Sequence, residues 1–392
     1  MEEFVAHTGS VNETKPKKSR LKALFLTHDN LLRLGGGGNQ ICSREYHEVL
    51  TAGGFELVDV TYASECGLNR RLRNRLSPSS YPDLVPADYW SRVERSAKEA
   101  RAEFIFCNFS SFLPHAAALR HIADEVGARV VLLSHGLESV DDVHRMRIAR
   151  TAYGRGRFRP VSAAHLAREL EQEARGLPLF DHVLCLAEFE VGICRWLGAQ
   201  SVSWWPRTFP VGNPLSWYPS GDQLGIIGTL DHPPNLEGAY LFCEAAAKLP
   251  SVPFRLRLVT RSKDVASDLA SRFDFVDFVG SLDEEKTLHA EVGSWSVFLH
   301  PIFCHAMGCS TKVAVGLSWG LPVLTTPAGL RGYRFGQGMP PTANTPAEMA
   351  ENAAASVSLE AASKLREQSL GILATAPTAR EIGAEIAAQL CS

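Results

Sequence analysis

The sequence alternates short apolar runs with amphipathic stretches, in two series separated by a turn-rich passage. Strand candidates in the first series are residues 22–27, 55–62, 104–109, 130–135, 182–187 and 202–206. Those in the second are 224–230, 254–260, 275–280, 296–301 and 322–326. Strands that alternate with helices pair in parallel, so the sequence predicts two doubly wound α/β domains. Parallel sheets bind ligands at the carboxyl ends of their strands, and we therefore expect a central cleft between the domains.

The same pattern divides the chain into segments. We predict a disordered tail (1–20), an N-terminal Rossmann-like domain (21–205), a hinge (206–223), a C-terminal Rossmann-like domain (224–376) and a closing helix (377–392). The hinge is predicted from its proline and glycine content. The closing helix is predicted because Ile382, Ile386 and Leu390 are spaced four residues apart, as on one face of a helix.

Charge and cysteine content restrict the function. A net charge of −3 argues against a protein that binds nucleic acid through bulk electrostatics. The nine cysteines are scattered without a C-x-x-C pair, which favours a reducing compartment. No uncharged apolar run is long enough to span a membrane, and the first 20 residues lack the apolar core of a signal peptide. We expect a cytoplasmic protein.

The segment from Gly308 to Gly332 reads as a small-residue loop, a helix, a Gly-Leu-Pro stop and a buried strand. Its start offers free backbone N–H groups at the positive end of a helix, and a lysine adds charge; these residues are Gly308, Cys309, Ser310, Thr311 and Lys312. No Asp or Glu occurs between Glu291 and Glu348, so no local carboxylate repels an anion. The segment predicts a phosphate site, although an ordinary helix-to-strand unit would have a similar pattern.

Three other motifs are weaker. Ser318 lies in G-x-S-x-G, but no His or Asp follows it to complete a hydrolase triad. The glycines at 35–38 precede Asp59 at a distance typical of a ribose carboxylate, but the third glycine of G-x-G-x-x-G is missing. A zinc set could be drawn from a group whose spacing is not that of paired ligands: His300, Cys304, His305 and Cys309. We expect no metal and no cofactor.

A run of arginines follows the His135 loop: Arg145, Arg147, Arg150, Arg155, Arg157 and Arg159. Such a run is usually a solvated face, but it would also suit a phosphorylated acceptor or an anionic membrane surface. We assign Arg145, Arg147 and Arg150 to the acceptor side, which leaves peripheral membrane contact open.

Several motifs in this order resemble the family 4 glycosyltransferases, group 1 glycosyl transferases of the GT-B fold, over residues 20–392. They are the glycine loop after the first strand, LSHGLES, LAEFEVGICRWLGA, GIIGTLDHPPN, FVGSLDEEKTL and GCSTKVAVGLSWGLPVLTTPAGLRG. The resemblance implies two Rossmann-like domains that face a central cleft, with the N-terminal domain on the acceptor side and the C-terminal domain binding the nucleotide sugar. It also implies transfer of a glycosyl or hexosyl group from a nucleotide-sugar donor to a glycan, lipid-linked or other small acceptor, with retention of configuration.

The resemblance assigns roles residue by residue. His135 matches a catalytic-loop histidine beside the donor sugar. The matched donor-binding positions are Gly37, Gly38, Gly280, Ser281, Gly308, Cys309, Ser310, Thr311 and Lys312.

Two glutamates of the family pattern are replaced here, by Met307 and Val315. The usual Arg and Lys after the first strand of the second domain are also missing, and we predict that Asp231 and Asn235 bind the donor instead, with Asp231 as the ribose acceptor. A catalytically silent GT-B homologue that binds nucleotide or acts as a scaffold is the competing hypothesis.

Overall fold

The computed structural model describes residues 20–33, 37–63, 85–158, 161–210 and 213–392. Apart from Arg20, the predicted tail lies outside the described residues, and so do Gly35, Gly36 and Arg159.

The N-terminal sheet is parallel and buried on both faces. Its strands are β1 (Leu21–His28), β2 (Phe55–Tyr62), β3 (Phe104–Asn108), β4 (Arg129–Ser134), β5 (His182–Cys185) and β6 (Val202–Trp204), in the spatial order β2-β1-β3-β4-β5-β6. All five residues of β3 are buried, and so are Ala23 to Leu26 of β1. Continuous burial of successive residues is the pattern of strands covered by helices on both faces.

Helices cover this sheet. They are α1 (Gly38–Ala52), α2 (Ala87–Ala100), α3 (Ala116–Val126), α4 (Glu138–Ile148), α5 (Ala163–Gly176) and α6 (Glu188–Trp196). Left-handed residues end two of them, Arg101 after α2 and Gly127 after α3, where each backbone N–H caps a carbonyl of the last turn.

The C-terminal sheet repeats the plan with five parallel strands. They are β7 (Gln223–Ile227), β8 (Arg255–Val259), β9 (Val276–Gly280), β10 (Val297–Leu299) and β11 (Val323–Leu324), in the order β11-β10-β7-β8-β9. Its helices are α7 (Pro233–Ala246), α8 (Lys263–Arg272), α9 (Glu285–Gly293), α10 (Thr311–Ser318), α11 (Pro346–Ser356) and α12 (Leu359–Ala374).

Strand order changes direction once in each sheet. The chain passes from β1 to β2 and then crosses to β3 on the other side of β1, and it passes from β7 through β9 before crossing to β10 beside β7. Ligands bind at such switch points, beyond the carboxyl ends of the strands. The predicted fold class, two doubly wound domains that face a cleft, is confirmed.

The last helix, α13 (Ala379–Cys391), returns to the N-terminal sheet. Its apolar stripe of Ile382, Ile386 and Leu390 is buried in the same core as Tyr46 and Val49 of α1. The chain end therefore connects the two domains by packing.

Residues 145–158 also cross between the domains. Ile148 is buried in the core of the C-terminal sheet, and Tyr153 stacks on Tyr240 of α7 with ring centroids 5.1 Å apart. Arg147 donates two hydrogen bonds, of 2.5 and 2.6 Å, to the carboxylate of Glu237 on α7. Arg147 therefore links the two domains through an ion pair, and its acceptor-side role stays a prediction.

Within the described residues, no helix combines the length and the apolar character needed to cross a bilayer.

The contact between α1 and α13 gives a stability prediction. A Cβ on Gly383 would meet Val49 O and Gly53 N, so Gly383→Ala should force the helices apart and lower the free energy of unfolding by about 1–3 kcal/mol. A Cβ on Gly371 of α12 meets nothing within 4 Å, so the control Gly371→Ala should stabilise by up to about 1 kcal/mol. Urea unfolding measures both, and equal effects would contradict the packing account.

Candidate functional site

A cleft of about 560 Å³ lies between the carboxyl ends of the two sheets. One wall carries the start of α1 and His135, and the other carries the loop after β7 and the start of α10. The described residues that line it include Lys312 and Arg331 but no Asp or Glu. A cleft with cations and no carboxylates favours an anionic ligand.

Two helix starts face each other across this cleft. A Cβ on Gly38, the first residue of α1, would lie 3.6 Å from Thr311 Cγ2, at the first residue of α10. Ser310 caps α10 by accepting a weak hydrogen bond from the Lys312 N–H at 3.4 Å. Among the described residues, no acceptor bonds the N–H groups of Cys309, Ser310 or Thr311. The positive ends of two helices therefore converge, as in an anion site.

Gly308 differs from the sequence-based expectation, because its N–H is not free. It donates to Glu190 Oε1 at 3.0 Å, and the same oxygen accepts a longer bond of 3.4 Å from the Leu137 N–H. Glu190 lies on α6 of the N-terminal domain, so this carboxylate joins the domains instead of leaving Gly308 to a phosphate. The sequence alone could not predict this contact, because the two residues lie 118 positions apart.

Lys312 is the cation of the phosphate loop. Gly228, at the end of β7, has φ +112°, and a Cβ there would lie 2.6 Å from Lys312 Cε. Glycine is therefore required where the lysine stem passes over the strand end. Burial, with a smaller effect from Arg331, lowers the pKa of Lys312 to about 8. No carboxylate pairs with its ammonium among the described residues.

A buried histidine supports the loop from below. His300 Nε2 lies 2.9 Å from Ser310 Oγ, and His300 Nδ1 lies 3.0 Å from Thr325 Oγ1. The Thr325 hydroxyl donates to the His300 carbonyl, so Nδ1 carries the proton and Nε2 accepts from Ser310. Burial keeps the pKa of His300 well below its usual value, which favours this neutral form. The Ser310 proton is therefore directed away from a phosphate, while its oxygen caps α10.

Arg331 fixes the other end of the loop. Its Nε donates to the carbonyls of Ala306 and Gly308, at 2.9 and 2.8 Å, and its Nη1 donates to Ala328 O at 2.7 Å. Arg331 is 6% exposed, so its charge acts on the cleft from within the protein. Neither His300 nor Arg331 was predicted as a loop support, because the signal is a three-dimensional contact.

His135 lies in the cleft wall. Its Nε2 is 2.8 Å from Asn108 Oδ1, and Asn108 is oriented because its Nδ2 donates to Thr27 Oγ1. Nε2 is therefore the protonated nitrogen, and Nδ1 is a buried acceptor without a partner in the described structure. Burial and, to a lesser degree, Arg207 lower the pKa of His135 to about 3. A neutral imidazole with an unused acceptor suits a ligand hydroxyl.

Some predicted donor residues lie in the cleft and others do not. Asn235 lines it and donates to Thr229 O at 2.7 Å. Asp231 is exposed and is not among the lining residues, and its role as the ribose acceptor stays a prediction. Gly280 and Ser281 also lie outside the lining, where Ser281 Oγ donates to Asp283 at 2.9 Å.

The remaining predicted residues can be placed individually. Gly37 and Gly38 line the cleft, and the Gly37 N–H donates to Gln40 Oε1 at 3.0 Å. Arg145 is committed to Asp142 at 2.6 Å, whereas Arg150 is exposed. No three His, Cys, Asp or Glu side chains of the described chain converge as a metal site would require.

Glu190 gives a pH prediction. Burial raises its pKa from 4.5 to about 7, despite the bonds from the Gly308 and Leu137 N–H groups. Between these pH values the folded state therefore holds more protons than the unfolded state, so this group costs stability as the pH rises. Glu190→Gln lacks this titrating group, so its free energy of unfolding relative to that of wild type should rise by up to about 3 kcal/mol between pH 4.5 and pH 7.

Urea unfolding at a series of pH values measures this difference. Glu188→Gln, at an exposed position of the same helix, controls for loss of a charge from α6. A difference between Glu190→Gln and wild type that stays constant with pH would contradict the burial of this carboxyl.

Comparisons with known proteins agree with this geometry. Residues 221–359 match the family model of the glycosyl transferases group 1, whereas no curated protein matches the sequence. Anabaena Alr3699/HepE, solved with UDP and glucose, superposes with a TM-score of 0.58 at 14% identity, covering 95% of this chain and 100% of that one. Apo OtsA gives 0.59 at 13% identity, with 95% and 99% covered.

TarM is similar as well, with a TM-score of 0.58 at 9% identity over 95% of this chain and 99% of that one. Identities this low show the fold alone. Residues 221–359 thus match the group 1 glycosyl transferase model, within a chain that has the GT-B fold throughout its two domains.

Proposed function

We propose that the protein is a retaining glycosyltransferase of the family 4 type, which uses a nucleoside diphosphate sugar as donor. The observation that carries the proposal is the convergence of the α1 and α10 helix starts on Lys312, in a cleft whose described lining contains no carboxylate. Such a site neutralises a diphosphate and stabilises the charge that develops on it as the sugar leaves. HepE, which has the same fold, was solved with UDP and with UDP-glucose, so UDP is the first nucleotide to test.

The chemistry needs no protein nucleophile. In a same-face transfer, the sugar–phosphate bond breaks, the acceptor oxygen attacks C1 from the side of the leaving group, and a phosphate oxygen takes the acceptor proton. The protein then has to position both substrates and stabilise the diphosphate. The N–H groups before α10 and the Lys312 ammonium supply that stabilisation, while Ser310 and His300 keep the helix start in place.

The donor sugar needs polar partners, because Met307 and Val315 offer none. His135 Nδ1 is the unpaired acceptor in this wall, and we assign it to a sugar hydroxyl. Thr229 and Asn235, at the end of β7, are assigned to the nucleoside. Arg150 keeps the predicted acceptor-side role, since Arg145 and Arg147 are paired with carboxylates.

The absence of carboxylates in the described cleft wall also favours a second function, a catalytically silent homologue that binds nucleotide. The two differ in turnover. Pure protein incubated with a panel of nucleotide sugars, with and without sugar or lipid-linked acceptors, should release nucleoside diphosphate if it is a transferase. Binding of UDP without release from any donor would support the silent homologue.

Lys312→Ala tests the phosphate site. Loss of a charge-assisted contact should weaken UDP binding by about tenfold to a hundredfold, while uridine, which lacks phosphate, should change by less than about threefold. Because Lys312 loses its proton near pH 8, wild-type affinity for UDP should fall as the pH rises through 8. Calorimetry should show that the variant lacks this fall. Equal losses for UDP and uridine would place the diphosphate elsewhere.

His135→Ala tests the sugar contact. Loss of the acceptor should reduce transfer by about tenfold to a hundredfold and leave UDP affinity within about threefold, since the nucleotide does not depend on this side chain. His182→Ala is the matched control, because His182 is also buried in the N-terminal sheet but bonds Ser201 and Ser203 outside the cleft. If the two variants lose activity equally, His135 is a packing residue.

A further inference from the structure

Two thiols face each other across the domain interface. Cys42 belongs to α1, and Cys309 belongs to the loop before α10. Arg207 Nη1 lies 3.1 Å from Cys42 Sγ and 3.3 Å from Cys309 Sγ. The two sulfur atoms are therefore no more than about 6.4 Å apart. The two cysteines are far apart in sequence, so only the closed arrangement of the domains brings them together.

Arg207 is a buried cation at this interface. It is 1% exposed and forms an ion pair with Glu45 of α1, while its backbone N–H donates to Gly332 O at 2.8 Å. A guanidinium stays protonated under these conditions. The thiol pair therefore adjoins a permanent positive charge that contacts both domains.

This charge makes the two sulfurs unequal. Burial opposes ionisation of Cys309, but the hydrogen bond from Cys42 and the charge of Arg207 lower its pKa to about 7. The hydrogen bond to Cys309 and burial raise the pKa of Cys42 well above its usual value. At neutral pH Cys309 is therefore partly thiolate while Cys42 stays a thiol, the combination found in attacking and resolving cysteines.

Small solutes can reach the pair through the cleft. Cys42 and Cys309 both line it, and Cys309 is only half-buried. Cys185 and Cys194 are a second pair of neighbouring cysteines, which differs from the first in its access to the cleft. Their sulfurs are 3.6 Å apart, yet both side chains are fully buried in the N-terminal core and neither lines the described cleft.

We propose that Cys42 and Cys309 form a reversible disulfide that locks the two domains in the closed arrangement. With a small disulfide such as oxidised glutathione, the Cys309 thiolate attacks one sulfur and expels one glutathione thiolate. Cys42 then attacks the Cys309 sulfur of the mixed disulfide, its proton passes to the departing thiolate, and the second glutathione leaves. Two protein thiols become one disulfide, and one oxidised glutathione becomes two reduced ones.

The lock acts on the proposed donor site, and this consequence rests on the proposed function. Cys309 is followed directly by the cap and first turn of α10, and Cys42 lies one turn beyond the start of α1. A covalent bond between them prevents the two helix starts from separating. Nucleotide that must enter or leave by domain opening then exchanges slowly, until a thiol reductant restores the pair.

The test compares reduced protein with protein treated with oxidised glutathione. Peptide mapping under non-reducing conditions should find a 42–309 disulfide, with a loss of two thiols and about 2 Da. Stopped-flow measurements with a fluorescent UDP analogue should show association and release at least about tenfold slower after oxidation, and dithiothreitol should reverse this change.

Matched variants make the outcome specific. Cys185→Ser should oxidise and slow like wild type, whereas Cys309→Ser, which lacks the attacking thiolate, should show the same UDP kinetics before and after treatment, even if its reduced kinetics differ from wild type. A 185–194 disulfide in place of 42–309, no intramolecular disulfide, or a 42–309 disulfide without slowing would overturn the proposal.

Failure of the proposed nucleotide site has a different signature, because reduced wild type would then bind no UDP at all. The proposed disulfide lock can still be tested in that case, by measurements that need no UDP. A closed-domain lock should raise the unfolding temperature by several degrees and make small-angle scattering insensitive to added ligands and ionic strength. A mapped disulfide with neither effect would refute it.

Discussion

The backbone contact between residues 135–136 and 307–308 is the constraint on which the site depends. A Cβ on Gly136 would lie 2.5 Å from Gly308 N, and one on Gly308 would collide with the His135 carbonyl. The two domains therefore contact each other here through their main chains. Two buried carboxylates of the N-terminal domain complete the contact, since Glu190 accepts from Gly308 N–H and Asp141 accepts from Met307 N–H at 3.0 Å. This contact sets the start of α10 opposite the start of α1.

The charges follow from that arrangement. The acids near the loop are used to hold backbone N–H groups, and those that do so lie outside the cleft lining. The charged groups that act on the cleft are therefore positive: the two helix starts, Lys312 and the buried guanidinium of Arg331. The replacement of the family's glutamates by Met307 and Val315 thus leaves the described wall without a negative group, which suits a diphosphate and leaves sugar hydroxyls to neutral acceptors such as His135.

The sequence predicted the strands well because several, such as β3 and β4, are continuous apolar runs, and it predicted α13 from the spacing of its apolar residues. It also predicted that residues 308–312 begin a helix, which depends on local chain chemistry. It failed where partners come from distant segments. The Gly308 N–H bonds the Glu190 carboxylate, and Arg147 pairs with the Glu237 carboxylate, both across the domain interface. No local pattern encodes such long-range pairing.

A crystal structure of the protein with UDP tests the central claim most directly. The account predicts that β-phosphate oxygens lie within about 3.2 Å of the N–H groups at the start of α10 and of Lys312 Nζ, with the Gly308 N–H still bonded to Glu190. A nucleotide whose phosphates lie elsewhere, with this helix start unoccupied, would contradict it.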